Sequence, residues 1–151
     1  IDALIAMYER AAEEPSWSAY LVRDMADHAF VGVGSLTKAA NRELVLGYHT
    51  FPPYQGKGYA KRMVAELAAL AFRCFDVAEI VAHTPPQEGA AVAVLRALNF
   101  RCAKTVTDTD RGRRWQWVLS RCEHREQTKP LFIPMVRAGV VSSLIARGFG
   151  R

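Results

Sequence analysis

Apolar positions along this chain change their spacing several times, and each change predicts an element. Residues 1–14 follow the helical period and stop at Pro15, so an amphipathic helix is expected at the start. Alternating and β-branched runs then predict strands at 18–23 and 30–36, joined by a hairpin connection over 24–29. A third strand is expected over 43–51, ended by Pro52 and Pro53 because proline brings no N–H to a sheet ladder. From 58 to 75 the spacing is again that of a helix, with Met63, Leu67, Leu70, Ala71 and Cys74 on one side and Lys61, Arg62, Glu66 and Arg73 elsewhere around it. Beyond it follow a short apolar strand at 78–83, a second helix over 88–98, and strands at 100–106 and 114–120 that close a hairpin around Asp108, Asp110 and Gly112. Trp17 reads as a core residue, Lys104 and Arg101 as solvated strand positions. Antiparallel strands followed by strands alternating with helices make an α/β domain, a mixed and mostly antiparallel sheet flanked by helices. Residues 1–121 are assigned to that domain, and 122–151, where Pro, Gly and basic residues interrupt apolar ones, to an extension.

A chain of 151 residues suits one domain with a proper core. It opens on Ile1 and runs straight into the helical pattern, which raises the expectation that the first strand of the fold is missing. Lys and Arg number 20 against 15 acidic residues, and the net charge of +5 favours anionic partners without naming one. Three cysteines, Cys74, Cys102 and Cys122, form an odd set without C-x-x-C spacing, and two of them fall in apolar segments where Cys acts as a small hydrophobe. A reduced cytoplasm is the expected setting, with no metal. The most apolar late stretch, 131–145, is broken by Pro134, Arg137 and Gly139 and falls short of a membrane span.

The stretch "PPYQGKGYA", residues 52–60, stands where the third strand ends and the first long helix begins. The first N–H groups of a helix lack partners within it and carry partial positive charge, so they seat phosphate well. Gly56 and Gly58 let an anion approach the backbone and let the chain turn tightly, and Lys57 adds charge. The segment therefore reads as a cradle for a pyrophosphate. Two nucleotide signatures are excluded: the dinucleotide pattern meets Lys61, and in Gly32-Val33-Gly34 meets Thr37, where it needs a third glycine, while a Walker loop needs Ser or Thr where Gly58 stands.

What the stretch resembles is the acyl-CoA motif of the GCN5-related N-acetyltransferases, Gln/Arg-x-x-Gly-x-Gly/Ala, here Gln55-Gly56-Lys57-Gly58-Tyr59-Ala60. "LGYHTFPPYQGKGYAKRMVAELAALAF" is similar to the strand, loop and helix of the branch holding the ribosomal-protein N-terminal acetylases, and "VLRALNF" resembles the close of that branch's next helix. The likeness spans about residues 30–120. It implies acetyl transfer from acetyl-CoA by direct attack of a primary amine, on a protein N-terminus or a small molecule. It also implies that the pantetheine arm lies between two splayed strands, beside Tyr48, His49 and Thr50, with the pyrophosphate on Gln55, Gly56, Lys57, Gly58, Tyr59, Ala60 and Lys61. The attacking amine must lose a proton, which histidine accepts near neutral pH. His83, at the end of the second splayed strand, is the first candidate base; His49 is the second, with Glu43 on the same strand face. Where the branch carries a carboxylate shortly before "GY", this chain has Val45 and Leu46. Other departures are Glu88 and Ala91 for the family's Asn and Ser, Asn99 for a glycine, and Leu95 where other branches place a tyrosine that protonates the departing thiolate.

Two competing readings remain open at this level. One is an acyl-CoA sensor, or an idle relative that keeps the cradle and not the chemistry. The other is nucleic-acid binding through "RGRRWQW", residues 111–117, against which stands the alternation of a half-buried strand with Trp115 and Trp117 inward and Arg113 and Arg114 in water. The partners expected are acetyl-CoA and an amine, with neither nucleic acid nor membrane, and a homodimer is left open.

Overall fold

The computed structural model describes residues 17–24, 26–126 and 135–137. The helix expected over 1–14, the side chain of Trp17 and most of the stretch 131–145 lie outside the described residues. Seven strands form one sheet: β1 (Trp17–Arg23), β2 (Phe30–Lys38), β3 (Glu43–Thr50), β4 (Glu79–Thr84), β5 (Arg101–Asp108), β6 (Gly112–Ser120) and β7 (Met135–Arg137), in the spatial order β5-β6-β4-β3-β2-β1-β7. The helices are α1 (Tyr59–Cys74), α2 (Ala90–Ala97) and α3 (Arg121–Glu126), and a single 3-10 turn, Pro52–Tyr54, follows β3. Each strand and helix expected between 18 and 120 is present within a few residues of its predicted bounds. The fold is the expected mixed, mostly antiparallel α/β sheet flanked by helices.

Strand β7 pairs antiparallel with β1 through Tyr20↔Arg137, Leu21↔Val136 and Val22↔Met135, so part of the C-terminal segment extends the sheet edge. Residue Arg121, at the start of α3, reaches back to the end of α1: its guanidinium donates to the carbonyls of Phe72, Phe75 and Val77 at 2.7, 3.0 and 3.0 Å. The last carbonyls of a helix lack partners within it and carry partial negative charge, so a cation placed there satisfies both needs.

The core lies between one face of the sheet and the helices. Helix α1 buries Met63, Val64, Leu67, Ala68, Ala71 and Phe72, a stripe rotated from the predicted one: Leu70 sits at its margin and Cys74 is exposed. Against it pack Leu36, Leu44, Leu46, Ile80, Ala82, Trp117 and Leu119. Each aliphatic side chain fully withdrawn from water there contributes about 1.5–3 kcal/mol. Close approach of α1 depends on Gly34, where a Cβ would lie 2.5 Å from Cδ1 of Leu67. All three cysteines are free and exposed, so the expectation that two of them act as small hydrophobes is corrected. Cys74 ends a helix whose buried stripe lies on another side, and Cys102 stands on β5, which is exposed along nearly all its length.

One interruption of the sheet positions everything that follows. Strands β3 and β4 are its parallel neighbours, and their pairing stops after Glu43↔Glu79, Leu44↔Ile80 and Val45↔Val81. On its other side β3 stays paired with β2 as far as Thr50, and β4 stays paired with β6 as far as Thr84. Residues 46–50 and 82–84 are therefore held by their outer neighbours while the gap between them opens.

Candidate active site

At the end of β3 where its pairing with β4 has ceased lies a cleft of about 400 Å³, bounded by the C-terminal end of β3, the turn after it, the start of α1 and the start of α2. Of the residues expected to hold the coenzyme, Tyr48, His49, Thr50, Gln55, Gly56, Gly58, Tyr59, Ala60 and Lys61 line it. Lys57 stands beside it with Nζ 5.8 Å from the ring centroid of Tyr54. Tyr54 and, from α2, Ala90, Ala91 and Val94 complete the wall. Ala91 stands where the family carries serine, whereas Ala90 and Val94 are invisible to a motif reading, because they belong to a helix some thirty residues away in sequence.

The backbone explains the two glycines. Gly56 and Gly58 have φ of +72° and +83°, left-handed conformations that cost other residues torsional energy, and no protein atom lies within 4 Å of where their Cβ would be. Gly58 is the N-cap of α1, yet no side chain caps the helix and no acidic residue stands in its first turn. The early N–H groups of α1 carry partial positive charge, and the cations Lys61 and Arg62 follow in its first turn. Gln55 serves as a strut, its side-chain amide donating to the Thr50 carbonyl at 3.0 Å. The Tyr59 hydroxyl donates to Asp24, tying the helix start to the hairpin between β1 and β2. That bond holds the Asp24 carboxyl below its ordinary range, assisted by the Ala26 N–H, and raises the Tyr59 phenol.

Side chains alternate across a strand, and the register assigns them to faces. Leu44, Leu46, Tyr48 and Thr50 share the helix-covered face with Ile80, Ala82 and Thr84, whereas His49 and His83 share the other. Tyr48 crosses toward α2, where its hydroxyl donates to the Ala91 carbonyl at 3.3 Å, and burial pushes its pKa up to about 12. Leu95, which takes the place of the family's helix tyrosine, is fully buried in the core. Thr50 is buried, and its Oγ1 has no hydrogen-bond partner among the described residues.

His49 is exposed, with its ring 6.2 Å from that of Phe51. His83 is half-buried near the end of β4 and, unlike His49, does not line the cleft; burial, then the neighbouring Arg114 cation, lower its pKa below 6.5, with Asp108 opposing. It is therefore neutral at physiological pH. Glu43 does share the His49 face, but it sits at the opposite end of β3, opposite Glu79 and about 20 Å along the strand from His49, and does not line the cleft. Period two selects a face and says nothing about which end of the strand carries the site.

The departures find local reasons. Glu88 precedes α2 and is held by Arg96 at 2.7 and 2.9 Å, so its charge is matched rather than turned on the cleft. Asn99 has φ of +62°, a left-handed C-terminal position that asparagine tolerates best after glycine. In "RGRRWQW", Trp117 is 1% exposed and donates its indole N–H to Thr84 Oγ1 at 3.0 Å, and Trp115 packs on the core margin. Among the described residues no cluster of three or more His, Cys, Asp or Glu side chains forms a metal-holding group, and no helix is long and apolar enough to cross a membrane.

Comparison with known proteins agrees with this geometry. A crystal structure of spermidine N-acetyltransferase from Vibrio cholerae in complex with CoA and spermine superposes with a TM-score of 0.69 at 16% identity, over 83% of this chain and 78% of that one. A dodecameric structure of spermidine N-acetyltransferase from Vibrio cholerae in an intermediate state gives 0.68 at 16% identity, over 85% and 78%. Identity at that level shows the fold alone. A search of curated protein sequences returns no match. The profile of the acetyltransferase (GNAT) domain matches residues 1–101, two thirds of the sequence, and the chain belongs to that family of acetyltransferases.

Proposed function

We propose that the domain moves an acetyl group from acetyl-CoA to a primary amine by direct attack, with the coenzyme seated in the cleft bounded by the end of β3 and the starts of α1 and α2. The observation that carries this is the coincidence, in one cavity, of an uncapped helix start and an open strand edge. The residues fit the coenzyme: the N–H groups from Gly56 to Lys61 suit a diphosphate, and the unpartnered Thr50 Oγ1 and the free edge of 46–50 suit an amide-bearing arm. When bound, acetyl-CoA supplies an acyl group activated as a thioester.

The chain's own groups divide the proton traffic between the two faces of the sheet. His83 takes the ammonium proton of the acceptor on one face, with His49 as the second candidate; a neutral imidazole is ready for this without further tuning. Glu43 is too far away for that part. Tyr48 reaches in from the other face; burial keeps its phenol protonated, and its single O–H, on leaving the Ala91 carbonyl, would donate to the departing thiolate. This gives the strand tyrosine the task that a helix tyrosine has elsewhere in the family. The CoA and spermine in the neighbouring Vibrio cholerae structure support coenzyme and amine as the ligand classes. The resemblance to the ribosomal-protein branch supports a protein α-amine as acceptor, in a reduced cytoplasmic setting, and the dodecameric neighbour supports assembly with further copies of the chain.

Thiol release from acetyl-CoA across a panel of amines tests the reading. Tyr48→Phe lowers kcat by about a hundredfold while acetyl-CoA affinity changes little. Coenzyme binding without thiol release on any amine would replace the enzyme with a sensor.

A further inference from the structure

A second hollow, about 310 Å³, opens directly past the end of β4 and is lined by Pro85, Pro86, Arg111, Arg113 and Arg114. Three guanidinium groups and no carboxylate face it. Pro85 and Pro86 bring no N–H groups to its wall. Arg114 donates to the His83 carbonyl at 3.2 Å, and it stands on the His83 face of the sheet, since Gln116, two residues on, pairs with His83. The nearby acids are accounted for: Asp108 accepts the Asp110 N–H within the turn and lies close enough to act on His83, and neither Asp108 nor Asp110 lines the hollow. None of the three arginines forms an ion pair among the described residues.

We infer that this arginine hollow is the specificity site for the acceptor, and that the acceptor amine carries an oxyanion, a carboxylate or a phosphate, which the hollow holds while the amine lies at His83. The inference rests on the reaction proposed above and names its substrate class. Planar guanidinium forks suit oxyanions and reject cations. Pro85 follows His83 by two residues, so the hollow adjoins the end of β4 that carries His83, and an acidic side chain near a free N-terminus suits that neighbourhood. A polyamine would bring like charge to the hollow and be disfavoured.

The test uses the full chain with acetyl-CoA and hexapeptides that differ only at their second and third residues, Asp-Asp, Ala-Ala or Lys-Lys, alongside an O-phosphoserine peptide and spermidine. The expected result is a kcat/KM for the Asp-Asp peptide about tenfold above that of Ala-Ala, with Lys-Lys and spermidine below both. The phosphoserine arm tells carboxylate from phosphate. Arg111→Gln combined with Arg113→Gln should collapse the Asp-Asp preference toward unity. Preference for Lys-Lys or spermidine overturns the inference, as does an unaltered Asp-Asp preference in the variant. A rise in coenzyme Kd matching the loss of acceptor preference also overturns it, because the arginines would then serve the coenzyme. Calorimetric binding of the same peptides reads the hollow independently of turnover. Charge-selective, arginine-dependent binding without thiol release would sink the proposed reaction and leave the hollow standing, whereas equal binding of all peptides would sink the hollow.

Discussion

Replacing Gly58 by glutamate separates the demands of the fold from those of the coenzyme. Gly58 caps α1 in a left-handed conformation, φ +83°, with no protein atom within 4 Å of a Cβ built there. A Cβ therefore meets no clash, and the cost to the fold at that atom is torsional, about 1–2 kcal/mol for an L residue in that region. For a domain of this size that lowers Tm by about 2–8 °C. Gly58→Ala bears the same cost, so the comparison of the two variants isolates the charge. A carboxylate about 4 Å from one phosphate charge costs from about 1 kcal/mol in bulk water to about 4 kcal/mol at an effective dielectric near 20. The CoA dissociation constant of Gly58→Glu should thus exceed that of Gly58→Ala by about fivefold to about a thousandfold. Added salt should shrink the difference, as it does for exposed charges. Titration calorimetry with CoA on both variants, with thermal melts to confirm the fold, reads each quantity. Equal affinities for the two variants would mean that no diphosphate lies at the start of α1.

Other expectations concern stability and pH. His83 and His124 hold their protons less firmly in the folded chain than the ordinary value of 6.5, by burial first and by Arg114 and Arg121 second. The unfolded chain then binds more protons below about pH 6.5, so stability is greatest above that value and falls as the pH drops through the folded pKa values. Urea midpoints between about pH 7.5 and about pH 5.5 check this, and a flat profile would contradict it. Arg121→Ala leaves the carbonyls at the end of α1 without their cation and should cost about 2 kcal/mol, or about 4–8 °C in Tm. Gly34→Ala drives a methyl group against Leu67 and should cost about 1–3 kcal/mol in denaturant titration, while a neutral result would show that α1 can move away from the sheet.

Local chemistry makes much of this protein legible in its sequence. Pro52 and Pro53 end β3, Gly56 and Gly58 supply left-handed turns, and the period of α1 announces a helix, all from residues adjacent in sequence. The β3 side of the cleft, from Tyr48 to Lys61, is readable for the same reason: strand end, turn and helix start form one continuous piece of chain. Glu43 shows where such reasoning stops. Alternation places it correctly on the His49 face, yet the gap opens at the other end of the strand.

The sequence by itself determined the elements, their order and the glycine turn before α1, because those depend on torsional preference, hydrogen-bonding capacity and period over a few residues. Tertiary structure alone decided where β3 and β4 part, that Tyr48 meets the Ala91 carbonyl 43 positions away, and that Pro85 and Pro86 face three arginines from another hairpin. Each of these is fixed by which strand lies beside which. That choice minimises exposed apolar surface and unpaired backbone over the whole sheet, so no short window of residues contains it.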